Sequence, residues 1–273
     1  MKSYSHLIAK LFNEPFLLTP TRHAALCQLL EARLSGAAPR LEHGESAPAA
    51  EDEDIEIRTV GETAIIPVHG TLVAHPEDIA MSECGCAMED LNQMIDLAEH
   101  DSRIARVIYD FRTPGGTVTG IPETGRRLQA SRKETIAFTD SECCSGGLWL
   151  AAQCQKFYAT QSARVGSCGV YSQCIDMSEQ MAKEGVKVNA FSAGKFKLLG
   201  AYWKPLTNEE RGHMQARVDK IYVQFKEAME TFRMVRDEHC GNGLIFDGEE
   251  AAEIGFTDGV VESLEDILEN FVE

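Results

Sequence analysis

No stretch of this 273-residue sequence reaches 18 consecutive apolar residues, and the first apolar residues are interrupted by Lys10, Asn13 and Glu14. Neither a transmembrane helix nor a plain secretory signal is therefore expected. Basic charge is also scarce: 26 lysines and arginines face 43 acidic residues, a formal net charge of -17. That deficit argues against nucleic acid and against anionic membrane surfaces as partners, since both select for basic patches. An even disulfide framework is missing as well. The nine cysteines stand at 27, 84, 86, 143, 144, 154, 168, 174 and 240, an odd and clustered set that reads as reduced thiols of a cytoplasmic protein. Cys84 and Cys86 are closer together than zinc-ligand pairs usually are, and no second matching pair exists, so neither metal nor cofactor is expected.

What is present suits a globular chain with a sizeable core: 44% hydrophobic and 25% charged residues. Residues 1–35 read as a small helical N-terminal extension. Leu7, Ile8, Leu11 and Phe12 share one helical face, Pro15 and Pro20 interrupt it, and a second helix over 22–34 carries Leu26, Leu29, Leu30 and Leu34. Residues 36–56 read as a flexible linker that ends in the acidic run Glu51-Asp52-Glu53-Asp54. From 57 to 262 apolar strands alternate with helical segments. Strands are expected at 64–68, 105–110, 135–138, 156–159 and 259–261, with helices at 86–100, 118–130, 146–154, 207–238 and 247–254 between or after them. That alternation predicts an α/β fold with a mainly parallel sheet and flanking helices. Thr207-x-x-Glu210 is a capping box, and residues 263–273 form an amphipathic helical tail.

Ser145 falls between the strand ending near Phe138 and an apolar helical segment. A serine at a strand-to-helix turn is presented for attack, and the amides that follow point toward developing negative charge. The bland alternative is an ordinary turn, for which Ser-Gly-Gly is equally suited. Thr113-Pro114-Gly115-Gly116 follows another strand; it is either a sterically demanded turn or, with Gly146, a source of oxyanion amides. One such donor contributes about 3 kcal/mol to transition-state stabilisation. A hydroxyl also needs a base. None of the eight histidines lies in a constrained loop near a carboxylate after Ser145, and His213 reads as solvent-facing. A lysine can serve if an apolar surround lowers its proton affinity. Lys195 and Lys197, separated by Phe196 and followed by Leu198 and Leu199, are the two candidates.

Taken together, these segments resemble the S49 peptidases, the signal peptide peptidase A group, over roughly residues 60–262. The family's oxyanion turn, nucleophile, Gly-Ser-x-Gly-Val segment and base segment appear as Pro114-Gly115-Gly116, Ser145-Gly146-Gly147, Gly166-Ser167-Cys168-Gly169-Val170 and Gly194-Lys195-Phe196-Lys197. The resemblance implies a ClpP/crotonase-like fold and selects Lys197, 52 residues after Ser145, as the base. It further implies that Ser167, 22 residues after Ser145, orients that lysine. The leader Phe12-Asn13-Glu14-Pro15-Phe16, with Thr19-Pro20 and Leu29-Leu30-Glu31-Ala32-Arg33, resembles the phage and prophage branch, whose members mature capsids. Two features depart from the pattern: Cys143-Cys144 precedes Ser145 where small residues are usual, and Cys168 replaces an aliphatic residue. They raise the prospect of redox sensitivity and of a cysteine nucleophile.

The expectation is thus a serine endopeptidase with a Ser145–Lys197 dyad, Ser167 as orienting residue, and Gly116 and Gly146 as oxyanion donors (Gly115 if the turn is shifted). Because such a dyad works through the neutral amine, its activity should rise above neutral pH. The implied substrate is a polypeptide, either capsid scaffold or the chain's own N-terminal region, and the implied assembly is a homo-oligomeric ring. Three alternatives share the fold: a soluble cellular protease of the same family, a catalytically inactive ring-forming homologue, and a crotonase-type acyl-CoA enzyme.

Overall fold

A computed structural model of the chain describes residues 15–35, 57–76, 78, 85–230, 232–233, 235 and 238–269, with backbone alone at 29–35. The apolar face of Leu7 to Phe12 and the 36–56 linker lie outside the described residues. In chain order the elements are β1 (Phe16–Leu18), α1 (Pro20–Ser35), β2 (Arg58–Val60), β3 (Thr63–His69), β4 (Thr71–Val73), β5 (Gly85–Ala87) and α2 (Met88–His100). There follow β6 (Arg106–Arg112), β7 (Gly115–Thr117), α3 (Ile121–Gln129), β8 (Glu134–Thr139), β9 (Glu142–Cys144), α4 (Gly146–Ala151), β10 (Lys156–Ala159) and β11 (Arg164–Gly166). The remainder are α5 (Ser178–Lys183), α6 (Asn208–Glu230), β12 (Ile245–Phe246), α7 (Gly248–Glu253), β13 (Gly259–Val260) and α8 (Leu264–Glu269).

The main sheet runs β13-β10-β8-β6-β3-β2, and only its β2–β3 edge is antiparallel. The expected strands at 64–68, 105–110, 135–138 and 156–159 all lie in it, and the chain is a mixed α/β fold with mainly parallel strands. Period-2 alternation sorts the two faces of β6. Val107, Tyr109 and Phe111 face the large core with Leu91, Ile95, Leu148, Trp149 and Phe225, while Ile108 joins Ile136, Phe138 and Ile267 beneath α8. Such near-continuous apolar strands are the consequence of covering both faces of a parallel sheet.

Each of four main-sheet strands passes directly into a short strand of a neighbouring sheet: β3 into β4, β6 into β7, β8 into β9, and β10 into β11. The second sheet is ordered β1-β7-β4-β5 and the third β12-β11-β9. Three residues are too few to show an alternation, so these short strands leave no periodic signal in the sequence. They are what brings the turns of successive units side by side.

Several expected boundaries are corrected: the helix expected over 118–130 is Ile121–Gln129, and that expected over 146–154 is Gly146–Ala151. The helix expected from residue 86 begins at Met88, because Gly85–Ala87 pair with β4. The long helix expected to reach 238 ends at Glu230. Beyond it Arg233 is buried, donating to the Cys154 carbonyl at 2.6 Å and pairing with Asp258. Of the apolar stripe on α6, Ile221, Phe225 and Met229 are core, while Met214 and Val218 are only half-buried. The Thr207 capping box is present: Glu210 N–H donates to Thr207 Oγ1 at 3.2 Å and Thr207 N–H to Glu210 Oε2 at 2.9 Å. Asp247 caps α7 by the same device.

Candidate active site

Register places the sequence-distant segments together. Cys143 pairs with Val165 and Cys144 with Gly166 across β9–β11, and Thr113 bridges to Cys143. The turn that leads into β7 and the turns after β9 and β11 therefore meet, which puts Gly116, Ser145 and Ser167 in one region of the molecule.

Ser145 is 1% exposed and occupies the N-cap position of α4 with φ 53° and ψ -113°. Its N–H donates to the Gly166 carbonyl at 2.9 Å, and its carbonyl accepts from Trp149 N–H at 2.9 Å. An N-cap serine ordinarily turns its hydroxyl onto the first-turn amides. Ser145 makes no such bond, so the hydroxyl is left for other chemistry. Positive φ on a residue with a Cβ costs about 1–3 kcal/mol and persists only where packing enforces it. Among the described residues the non-glycine positions with positive φ are Ser145 and Ser167, the latter at 58°. One is the serine expected at a strand-to-helix turn, and the other is the serine that the family resemblance implies as its orienting partner. Ser167 is buried and its N–H donates to the Leu244 carbonyl at 2.6 Å.

The Pro-Gly-Gly turn is fitted against this serine. Thr113 Oγ1 donates to the Gly70 carbonyl at 2.6 Å and accepts from Gly115 N–H at 3.1 Å, which fixes the turn to the end of β3. Gly116 tolerates no side chain, since a Cβ there would stand 1.9 Å from the Leu72 carbonyl oxygen. A Cβ on Gly115 would lie 2.0 Å from the Leu17 carbonyl oxygen, 2.9 Å from the Gly146 nitrogen and 3.0 Å from the Cys144 carbonyl oxygen. The Gly115–Gly116 backbone, the Gly146 amide and the Leu17 carbonyl thus converge beside Ser145. Sequence reasoning missed Thr113 as the clamp of this turn, and it missed Leu17 altogether. The first carries a weak signal, a threonine just before Pro-Gly-Gly; the second carries none.

The lysines behave differently. Lys195 is exposed, pairs with Glu209 and lies 5.6 Å over the Phe196 ring, which stacks on His213. Lys197 is exposed and its side chain forms no ion pair or hydrogen bond among the described residues. No hydrogen bond joins Ser145 or Ser167 to a lysine amine within the described single chain. Residues 182–195 are exposed throughout, and Phe191 is 96% exposed. His213 is solvent-facing, as expected. His69 does pair with a carboxylate, Asp110, at 2.9 Å, but Asp110 shares the sheet face of Ile108 and Phe138, opposite the face that α4 covers.

The cysteines beside the serine are not activated. Cys143 and Cys144 are fully buried, and burial pushes the Cys143 thiol well up and that of Cys144 to about 12. Reactive thiols need the opposite shift. Cys168 lies with its sulfur 3.2 Å from that of Cys240, and both are free thiols whose contact pushes the Cys168 thiol up. Among the described residues no group of three or more His, Cys, Asp or Glu side chains could hold a metal ion, and no helix is long and apolar enough to cross a membrane.

The model of peptidase family S49 matches residues 127–270 of the chain. The head-tail preconnector protein GP5 of Enterobacteria phage P21 is 28% identical over 280 residues, covering 95% of this chain and 56% of that protein. Capsid assembly protease C of Escherichia phage lambda is 24% identical, covering 98% of this chain and 65% of that protein. A putative protease of Methanocaldococcus jannaschii is 26% identical over 61% of this chain and 55% of its own length. The chain therefore spans less than two thirds of the length of each of these relatives. Among solved structures, the 1510-N membrane-bound stomatin-specific protease aligns with a TM-score of 0.46 at 14% identity, covering 78% of this chain and 85% of that one. An enoyl-CoA hydratase/isomerase from Marinobacter aquaeolei aligns at 0.45 and 16% identity, covering 79% and 74%.

Proposed function

The chain belongs to peptidase family S49, and from that premise we propose that it hydrolyses peptide bonds with Ser145 as nucleophile and Lys197 as general base. The observation that carries the reading is the backbone of Ser145 and Ser167. Two buried serines hold the only positive φ angles among the described non-glycine residues; the Ser145 turn packs on Gly115, and Ser145 N–H bonds to the carbonyl of Gly166, the residue before Ser167. Strain of that kind is retained where it presents a reacting group.

In the proposed cycle the neutral amine of Lys197 takes the Ser145 proton as Oγ attacks the scissile carbonyl carbon. The N–H groups of Gly116 and Gly146 receive the tetrahedral oxyanion. The ammonium of Lys197 then returns its proton to the leaving amine, the acyl-serine ester forms, and a water deprotonated by Lys197 hydrolyses it. Ser167 holds the amine toward Ser145. Lys197 is preferred to Lys195 because Glu209 already engages the latter.

An exposed lysine lacks the apolar enclosure that a basic role demands. We assign that enclosure to a second copy: the 182–195 arm, with Val186, Val188 and Phe191 in solvent, is the surface that assembly would cover. The assembled form is a homo-oligomeric ring in which one copy supplies Ser145 and its neighbour Lys197. The domain division is part of the same reading, with residues 57–262 as the peptidase unit. The two phage proteins align with 95% and 98% of this chain, which supports a capsid or scaffold polypeptide as substrate.

Fluorophosphonate labelling of the full chain tests the assignment. Wild type should label at Ser145, Ser145→Ala should not, and Lys197→Ala should label at least 100-fold more slowly, the range of general-base effects. Unchanged labelling of a folded Lys197→Ala would remove that lysine from the mechanism. Loss on Lys195→Ala instead would shift the base by two residues.

A further inference from the structure

Residues 15–19 are not a loose leader. Phe16, Leu17 and Leu18 are 1%, 0% and 2% exposed, and they pair antiparallel with β7, Leu17 opposite Gly116 and Leu18 opposite Gly115. Thr19 N–H donates to the Pro114 carbonyl at 3.2 Å. In an antiparallel ladder the hydrogen-bonded pairs alternate, so the next such pair after Thr19–Pro114 is Leu17–Gly116. The Leu17 carbonyl then accepts from Gly116 N–H, the amide assigned above to the oxyanion. On its other side the strand is hydrogen-bonded too: Phe16 N–H donates to the Tyr171 carbonyl at 2.7 Å and Tyr171 N–H to the Phe16 carbonyl at 3.3 Å. A short extended segment is thus held between two backbones with a carbonyl at the candidate oxyanion amides.

The segment differs in direction from the sheet it joins. It is the terminal, antiparallel strand of a sheet whose other pairs, β7–β4 and β4–β5, are parallel. It is bracketed by Pro15 and Pro20. The helix that follows buries only His23 and Leu26 among residues 20–28, and His23 does so against Phe16 and Tyr171.

We propose that Phe16-Leu17-Leu18 fill the peptide-binding groove of this site, so that the groove accepts an extended apolar segment and the chain's own strand must leave before a substrate enters. This rests on the reading of Ser145, Gly116 and Gly146 given above. The strand lies against the residue next to the buried Ser145: a Cβ on Gly146 would stand 3.3 Å from the Leu17 carbonyl oxygen and 3.4 Å from Leu17 Cβ. A tethered occupant acts at an effective concentration on the order of 1 mM, so a free peptide at micromolar concentration competes poorly. Substrates that displace the strand need anchoring contacts elsewhere, or an assembly step that draws residues 15–19 out.

The test uses the full-length chain and a fluorescein-labelled peptide with the sequence of residues 14–20. Leu17→Asp places a carboxylate in a fully buried position and should release the strand. Fluorescence anisotropy should then show at least tenfold tighter peptide binding than to wild type, and fluorophosphonate labelling of Ser145 should be at least tenfold faster. Should Leu17→Asp fail to fold, Phe16→Ala, which removes the ring packed on His23, is measured in the same way and should move both readouts in the same direction. Equal peptide affinity and equal labelling in wild type and variant overturn the proposal. If the peptide discriminates between the forms but no form is labelled, the groove stands and the nucleophile assignment fails. If every form labels equally and the peptide does not discriminate, the nucleophile stands and the groove fails.

Discussion

Gly147→Ala is expected to destabilise the chain by about 2 kcal/mol, and Thr113→Ser is expected to restore most of that loss. A Cβ on Gly147 would stand 2.4 Å from Thr113 Cγ2, with the next neighbours, Cys143 Sγ and Thr113 Cβ, both at an ordinary 3.7 Å. One methyl group therefore produces the whole collision. Separation to a normal carbon–carbon contact of ~3.5–4.0 Å requires a shift of more than about 1 Å. Thr113 cannot rotate away freely, because Oγ1 both donates to Gly70 and accepts from Gly115 N–H. Breaking those two hydrogen bonds costs about 1 kcal/mol each, and forcing α4 away from the turn costs about 1–3 kcal/mol. Against this, alanine gains at most about 1 kcal/mol over glycine in a helix. Serine at 113 keeps the hydroxyl and deletes the methyl, so the double variant should recover to within about 0.5 kcal/mol of Thr113→Ser alone. Urea denaturation with unchanged m-values reads all four corners of the cycle. A Gly147→Ala loss under about 0.5 kcal/mol, or no rescue by Thr113→Ser, would refute the steric reasoning.

Mixing provides a test of where Lys197 acts. If neighbouring copies share a site, equimolar Ser145→Ala and Lys197→Ala chains, denatured and refolded together, should regain about a quarter of wild-type peptidase activity, since half the serines survive and half the lysines reach them; a dyad closed within each chain yields none. The buried thiols should be inert: burial pushes Cys144 and Cys154 to about 12 and Cys143 well up. Mass mapping after native iodoacetamide treatment at pH 8 should leave those three unmodified, and rapid native alkylation of Cys143 or Cys144 would contradict their packing. The same shifts set a sign for alkaline stability. These thiols keep their protons to higher pH when folded, so their contribution is complete below the ordinary thiol range, about 8.5, and is lost as pH rises above it. Glu210 works in the acid direction. Lys204 at 2.7 Å, and then Thr207 N–H, hold its carboxyl below the usual range, so its contribution is present above that range and is lost as pH falls through the lowered value. Glu210→Gln should flatten that acid-side loss in thermal melts.

The sequence by itself determined the class of fold and the chemistry on offer. Strands rich in Ile, Val and Phe alternate with amphipathic helices, and that pattern admits a covered parallel sheet and little else. Local rules also sufficed for the caps at Thr207 and Asp247, where donor and acceptor lie within one turn. What remained beyond reach was everything set by three-residue strands and long-range register. The pairing of Cys144 with Gly166 brings Ser145 to Ser167, the ladder between Leu17 and Gly116 lays the N-terminal strand along β7, and Arg233 is buried against the Cys154 carbonyl and Asp258. Each depends on which backbone groups find partners far away in the chain. Cys143 and Cys144 illustrate the same division: adjacent to the serine they suggest reactive thiols, yet enclosure by the surrounding sheet and helix holds them protonated. The position of Lys197 completes the contrast. The residues left Lys195 and Lys197 open and the family resemblance selected Lys197, but only the folded chain reveals that its segment stands in solvent, because apolar enclosure is a property of packing and not of composition.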